Sequence, residues 1–286
     1  LVDECSPFGP IHHAVRVLPD GRIMYLSRDV LRPGYGDPPM PQEGDTIGIW
    51  DQATDESEIV WNISDFISPA DRTVPASNRT LPGNPLWGGC ERDRAVQDWS
   101  HADSLFMSED GSVAVGLRNL NQVISVAPDF KSIQWRLGGP GSDFTFPDPS
   151  DRFYHPHSAE LLPSGNVLLF DNGNTRPGNE GGQYSRGLEL ALNSETMTVS
   201  KVWEYRLKPD MYSICCSSVT RLKNGNTLVM FGSNFVDECC RPFLILEVDA
   251  SGKEVWVVEH LSPLKPNQYR VYPADSIMGE RPVPDG

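Results

Sequence analysis

Short apolar strands separated by polar turns recur four times along the chain. Each unit opens with a strand that ends in a turn of Pro, Asp, Asn or Ser followed by Gly, which is a hairpin signal, and a second apolar strand follows. A third apolar segment comes next, and a fourth contains a tryptophan near its end. The opening segments are His13–Gly21, His101–Gly111, His157–Gly165 and Ser217–Gly225, and the tryptophans are Trp61, Trp135, Trp203 and Trp256. No amphipathic helical pattern competes with this repeat.

Four antiparallel strands that recur at intervals of about 50–60 residues predict an all-β fold, a β-propeller of four-stranded antiparallel blades. We expect one propeller domain over residues 1–286, in which the tryptophans pack between blades. The predicted blades cover about residues 11–66, 99–138, 155–206 and 213–260, with an insertion at 67–98 and a C-terminal tail at 261–286. Within the tail, Tyr269–Tyr272 is strand-like and could complete an earlier blade.

The net charge of −15 argues against a nucleic-acid partner, because an acidic surface repels phosphate backbones. The sequence has no apolar run of about 18 residues, so we predict no membrane span. Because the chain starts at Leu1 without a hydrophobic leader, we expect that any signal peptide has been removed.

The cysteines predict a secreted, disulfide-bonded protein. Their number is even and none belongs to a Cys-x-x-Cys pair, which favours disulfides over zinc or redox chemistry. The six are Cys5, Cys90, Cys215, Cys216, Cys239 and Cys240. Two bridges could join the vicinal pairs and Cys5 could pair with Cys90, but other connectivities stay open. Sequons at Asn62 and Asn78 fit a glycoprotein of the secretory pathway.

Three histidines begin the first strand of successive units. In a propeller the first strand of each blade lines the central channel, so we expect His13, His101 and His157 to converge on the axis. The spacing to the turn glycine is longer after His101, so a bulge or shifted register is needed there. Such a cluster is titratable and suits catalysis, and a zinc site is the competing interpretation.

Four more residues are candidates for binding a substrate beside these histidines. Asp171 and Asn172 end the second strand of the third unit, and Arg186 starts its third strand. Arg118 occupies a similar place in the second unit. Two arginines inside an acidic protein indicate a pocket for a sulfate, sulfonate or carboxylate group.

At these positions the sequence resembles the arylsulfotransferase family. The segments that carry the resemblance are Trp99–Asp103, the block from His157 through Phe170–Gly173 to Tyr184–Arg186, Met197–Tyr205, and Tyr212–Ser213 with Ser217–Val219 and Asn224–Thr227. The resemblance implies a six-bladed propeller that moves a sulfuryl group between phenols through a sulfohistidine, without a nucleotide donor. It also implies that about two blades precede this chain, either as a companion chain or as an N-terminal segment.

The resemblance also implies roles for single residues. His101 is similar to a channel histidine of the family, and Asn172 and Arg186 are similar to its sulfate-binding groups. The family's nucleophilic histidine is expected after Thr227–Phe231, where this chain has Gly232-Ser233-Asn234-Phe235. His157 or His13 could take its place.

Three functions follow as hypotheses. The first is an arylsulfotransferase-like enzyme that acts on an anionic or aromatic substrate at the histidine-lined channel. The second is a lyase that uses histidines as acid and base on an acidic polysaccharide, and the third is a non-catalytic propeller that binds a small anionic, aromatic or saccharide ligand. We expect no organic cofactor and leave a metal ion at the axis open.

Overall fold

The computed structural model describes residues 11–35, 40–71, 77–81, 94–178, 183–232, 243–259 and 268–274. Strands dominate these residues, and the only helices among them are short 3₁₀ turns at Ile63–Asp65, Pro69–Asp71, Arg118–Leu120 and Pro149–Asp151. The alternation of apolar and polar positions between turn glycines explains this content, because such segments bury one face of a strand at a time.

The strands form four sheets. The first contains β1 (His12–Val17), β2 (Ile23–Tyr35), β3 (Met40–Asp51), β4 (Glu56–Asn62), β5 (Ser77–Leu81) and β6 (Arg94–Asp98). The second contains β7 (Ala102–Met107), β8 (Val113–Leu117), β9 (Gln122–Val126) and β10 (Ile133–Leu137). The third contains β11 (Pro156–Leu161), β12 (Val167–Asp171), β13 (Arg186–Asn193) and β14 (Thr198–Tyr205). The fourth contains β15 (Ser218–Arg221), β16 (Thr227–Phe231), β17 (Leu244–Val248) and β18 (Glu254–Glu259).

Consecutive strands within each repeat pair antiparallel, which confirms the predicted β-propeller of four-stranded blades. The first sheet is larger than predicted. Strand β6 adds parallel to β3 through Gln42 opposite Gln97 and Glu43 opposite Asp98, and β5 pairs with β6. Part of the insertion at 67–98 therefore extends the first blade.

Apolar side chains fill the spaces between neighbouring sheets. Trp61 and Trp99 are buried in a cluster shared by the first two sheets, and Phe170 meets Phe231 edge to face between the last two. Trp256 is 48% exposed, so the prediction that it packs between blades is wrong for the described residues. The whole of β18 is exposed.

The innermost strands lie side by side, β1 next to β7, β7 next to β11, and β11 next to β15. Three of them carry a bulge at the position of the predicted histidines: between His12 and Val15, between Ala102 and Ser104, and between His157 and Glu160. A bulge re-aims side chains at the end of a strand. It is therefore a feature of all three inner strands and not of the second alone.

The described part of the C-terminal tail, residues 268–274, forms no strand, although Tyr269–Tyr272 was predicted to be strand-like. Residues 268–274 are irregular. The backbone of this segment bonds to separate points on the last sheet: Ser217 N–H donates to Tyr269 O at 3.0 Å and Gln268 N–H donates to Gly232 O at 3.2 Å. These isolated bonds hold the tail across the inner ends of the strands.

Candidate functional site

Two of the three predicted axial histidines are in ring contact, and a tyrosine links them to the third. The ring centroids of His13 and His101 are 5.0 Å apart. The Tyr269 ring lies 5.2 Å from His13 and 6.4 Å from His157. The inner ends of β1, β7 and β11 thus bring the three imidazoles around one tyrosine from the tail.

Buried partners hold the first two imidazoles. The Nδ1 atoms of His12 and His13 are 2.6 Å apart, and Nε2 of His12 lies 3.2 Å from Oδ1 of Asp45. The Nδ1 atom of His101 bonds to the carboxylate of Asp98, at the end of β6. Both rings are therefore fixed through Nδ1.

His157 is held in one tautomer by its neighbours. The backbone N–H of Cys216 donates to Nε2 at 3.2 Å, so the ring proton is on Nδ1. Nδ1 then donates to Oδ1 of Asn172 at 2.6 Å. The amide of Asn172 in turn donates to the carbonyls of Ser213 (2.8 Å) and Cys216 (3.2 Å). Asn172 therefore positions the ring and ties it to the loop before β15.

Burial favours the neutral form of His13 and His157, because a desolvated site disfavours an extra charge. Burial lowers the pKa of His157, and although Asp103 opposes this effect, Arg118 reinforces it. Burial and then His101 lower the pKa of His13. Nearby His155, which has no hydrogen-bond partner on either ring nitrogen among the described residues, has its pKa lowered by burial to about 3.

Arg118 brings a positive charge to this cluster. Its Nη1 donates to the side-chain oxygen of Asn119 at 2.9 Å, and no carboxylate within the described part of the chain forms an ion pair with it. Burial lowers the pKa of Arg118, and it lowers the pKa of both His155 and His157 through repulsion. Among the described residues, the guanidinium is thus a cation without a carboxylate partner, and it lies beside imidazoles whose pKa is lowered.

Asp171 and Arg186 occupy a different place from the histidines. Arg186 is 1% exposed and donates through Nε to Oδ2 of Asp171 at 2.8 Å. Its other nitrogens reach Glu204 at 3.2 Å and the carbonyls of Ser150 and Arg152 at 2.9 Å. Nε, Nη1 and Nη2 of Arg186 therefore all donate hydrogen bonds to other groups of the protein.

Both carboxylate oxygens of Asp171 also have hydrogen-bond partners. Its second oxygen atom, Oδ1, accepts the backbone N–H of Tyr154 at 2.9 Å, and Oδ2 also accepts from Arg176 at 2.7 Å. Two adjacent residues at the end of β12 thus have different roles: the side chain of Asp171, the last residue of the strand, binds arginines, and the side chain of Asn172, which follows the strand, binds His157.

Three residues of the site were not predicted as site residues. Asp98 lies three residues before His101, a spacing that could have indicated a carboxylate beside the ring. Tyr269 and Arg270 come from the tail, where no repeat marks them. Arg270 donates to the backbone and side-chain oxygens of Asp103 at 2.9 and 3.1 Å.

Most of the cysteines in the predicted disulfide framework lie outside the described residues. The Sγ atoms of Cys215 and Cys216 are 3.4 Å apart, beyond the ~2.05 Å of a disulfide bond. Their predicted partners, Cys239 and Cys240, lie outside the described residues, as do Cys5 and Cys90. In the described ranges, no group of three or more His, Cys, Asp and Glu side chains is placed to hold a metal ion, and no helix is long and apolar enough to cross a membrane.

A family model for the arylsulfotransferases (ASST) matches residues 6–272. The chain belongs to this family. It is 26% identical over 213 residues to the arylsulfate sulfotransferase AssT of Escherichia coli O6:H1, covering 60% of this chain and 34% of that protein. It is 32% identical over 127 residues to AssT of Lelliottia amnigena, covering 41% of this chain and 21% of that protein. The chain thus spans about a third or less of the curated relatives that it matches.

Among solved structures, the chain resembles virginiamycin B lyase from Staphylococcus aureus with a TM-score of 0.42 and 13% identity, over 90% of this chain and 57% of that one. The family resemblance placed a nucleophilic histidine after β16, but residues 233–235 lie outside the described residues.

Proposed function

We propose that this chain transfers a sulfuryl group from an aryl sulfate to a phenol at the cluster of His13, His101 and His157. One observation carries the proposal: a neutral imidazole with a fixed tautomer, His157, lies near an arginine that has no carboxylate partner among the described residues. A neutral imidazole is a nucleophile, and an arginine complements the oxygens of a sulfuryl group.

In the first step, Nε2 of His157 attacks the sulfur of the aryl sulfate and the S–O bond to the aryl group breaks. Nδ1–H stays bonded to Asn172, whose amide oxygen stabilises the positive charge that develops on the ring. The leaving phenolate takes the Nε2 proton of His101 in its imidazolium form, whose positive charge the Asp98 carboxylate balances through Nδ1.

In the second step, the acceptor phenol gives its proton to His101 while its oxygen attacks the sulfur. The N–S bond breaks, and His157 returns to the neutral tautomer. The backbone N–H of Cys216, which bonds to Nε2 in the absence of substrate, is placed to donate to a sulfuryl oxygen in the intermediate.

We assign the sulfuryl oxygens to Arg118 instead of Arg186. Arg186 already binds Asp171, Glu204 and two carbonyls, so a substrate anion would have to break an occupied, buried network. Arg118 has one amide partner and is electrostatically coupled to His157. An anion at Arg118 would therefore gain a charge partner without displacing one.

The test is turnover of an aryl sulfate donor with a phenol acceptor by the full chain. We expect transfer by the wild type, a loss of at least about 10³-fold in His157→Ala, and a raised KM for the donor in Arg118→Ala. Arg22→Ala is the matched control, since Arg22 is an exposed arginine whose ion pair in the described residues is a local one with Asp20. Transfer that survives in His157→Ala would contradict the proposal.

The other hypotheses give different results in the same samples. A lyase would release an unsaturated sugar that absorbs in the ultraviolet from an acidic polysaccharide. A binding propeller would retain a ligand without turnover, and its affinity would survive in a His101→Ala/His157→Ala double variant.

The remaining features of the function are part of the same proposal. The substrates are small anionic aromatic molecules, and the cysteines and sequons support a secreted location. A companion chain or an N-terminal segment supplies further blades, which is consistent with the exposed outer strand β18.

A further inference from the structure

The tail delivers a buried positive charge to the axial site. The Arg270 side chain is 4% exposed and the Asp103 side chain is fully buried. Nη2 of Arg270 donates to the backbone oxygen of Asp103 at 2.9 Å and to Oδ2 at 3.1 Å, while Nη1 donates to the hydroxyl of Tyr272 at 3.0 Å. The ion pair joins the tail to β7, the inner strand of the second blade.

Asp103 also touches the strand of the proposed nucleophile. Its Oδ2 accepts the backbone N–H of Ser158, the residue after His157, at 3.1 Å. Its Oδ1 is buried and has no hydrogen-bond partner within the described residues. A buried carboxylate with so few donors needs a compensating charge, and Arg270 supplies it.

Several strands, loops and the tail place charged or titratable groups around His157. They are Asp103 from β7, Arg118 after β8, His155 from its own segment, Cys216 before β15, and Tyr269 and Arg270 from the tail. Asp103 raises the pKa of His157, whereas burial, Arg118 and Arg270 lower it.

We propose that Arg270 is a positioning residue that neutralises Asp103 and thereby keeps the imidazole of His157 unprotonated. Without Arg270, the buried Asp103 carboxylate would stabilise a proton on His157, the residue before the Ser158 backbone N–H that this carboxylate accepts. A protonated Nε2 has no lone pair for attack on sulfur. The inference rests on the proposed function only for its kinetic consequence, because the ionisation of His157 can be measured without turnover.

The experiment is an NMR titration of the full chain labelled with ¹⁵N-histidine, with the His157 signals assigned from a His157→Gln variant. In Arg270→Gln we expect the midpoint of His157 to move up by about one pH unit relative to the wild type. Arg270→Lys keeps the charge and should leave the midpoint near that of the wild type. Arg270→Gln/Asp103→Asn removes both charges and should also restore it.

An unchanged midpoint in Arg270→Gln overturns the proposal, as does a midpoint that stays raised in the double variant. If Arg270→Gln does not fold, the double variant decides, since recovery of folded protein supports charge neutralisation and an equally unfolded double variant contradicts it. With an aryl sulfate and a phenol, the acid limb of the rate profile should move up with the midpoint. A midpoint that moves in a protein without sulfuryl transfer supports this inference while it removes the proposed function.

Discussion

Arg118 and Arg186 were both predicted to bind an anion, but alanine should affect a different property at each. At Arg186 it should lower the stability of the fold, and at Arg118 it should lower the rate of sulfuryl transfer. Arg186→Ala removes the guanidinium that binds Asp171, Glu204 and two carbonyls, and it leaves the fully buried carboxylate of Asp171 with Arg176 as its remaining cation. Breaking a buried ion pair from one side costs about 3–5 kcal/mol, so the free energy of unfolding should fall by about that amount.

Arg118→Ala removes one hydrogen bond, to Asn119, and no ion pair within the described chain. Its loss should cost about 1 kcal/mol, in part offset because a buried charge is removed. Sulfuryl transfer should instead fall by roughly 10²-fold or more, since the arginine that holds the sulfuryl oxygens is gone.

Urea unfolding followed by tryptophan fluorescence measures the first quantity, and initial transfer rates under conditions where each variant is folded measure the second. If Arg186→Ala unfolds at the same urea concentration as the wild type but loses transfer, the sulfate site lies at Arg186. If Arg118→Ala transfers normally, the assignment of Arg118 is wrong.

Two further predictions concern stability. His155 and His157 have lowered pKa values in the folded chain, so below about pH 6.5 the unfolded chain binds more protons than the folded one. The free energy of unfolding should therefore fall on acidification, by up to about 1.4 kcal/mol per pH unit for each histidine. Urea unfolding at several pH values tests this, and His155→Gln should remove one histidine's share of the slope, whereas an unchanged slope would refute it. Gly139→Ala should lower the melting temperature by far more than Gly165→Ala. Both glycines have positive φ, but a Cβ at Gly139 would lie 2.1 Å from the carbonyl oxygen of Leu120, whereas a Cβ at Gly165 would have nothing within 4 Å. Equal melting temperatures of the two variants would contradict this packing.

The blades could be predicted because each hairpin is encoded locally. Gly165 and Gly225 take positive φ at the ends of inner strands, as a turn glycine should. The extra strands β5 and β6 could not be predicted, because their segment is rich in Pro, Gly, Asn and Arg and pairs parallel to β3 through a long connection.

The axial histidines were predicted from the repeat, since equivalent positions in neighbouring blades converge. The residues that surround these histidines could not be predicted in the same way. Arg270 meets Asp103 across 167 positions of sequence, a contact that no local pattern encodes. Arg118 and Arg186 were placed together as anion-binding groups, and only the burial of Asp171 beside Arg186 separates an ion-pair arginine from an available one.

The central claim is that His157 carries the sulfuryl group. The most direct measurement is peptide mass spectrometry of the full chain, quenched at alkaline pH after incubation with an aryl sulfate and no acceptor. The account predicts a mass gain of one sulfuryl group on the peptide that contains His157, absent in His157→Ala and lost when a phenol is added. A sulfuryl group on another histidine, or none on a chain that still transfers, would contradict it.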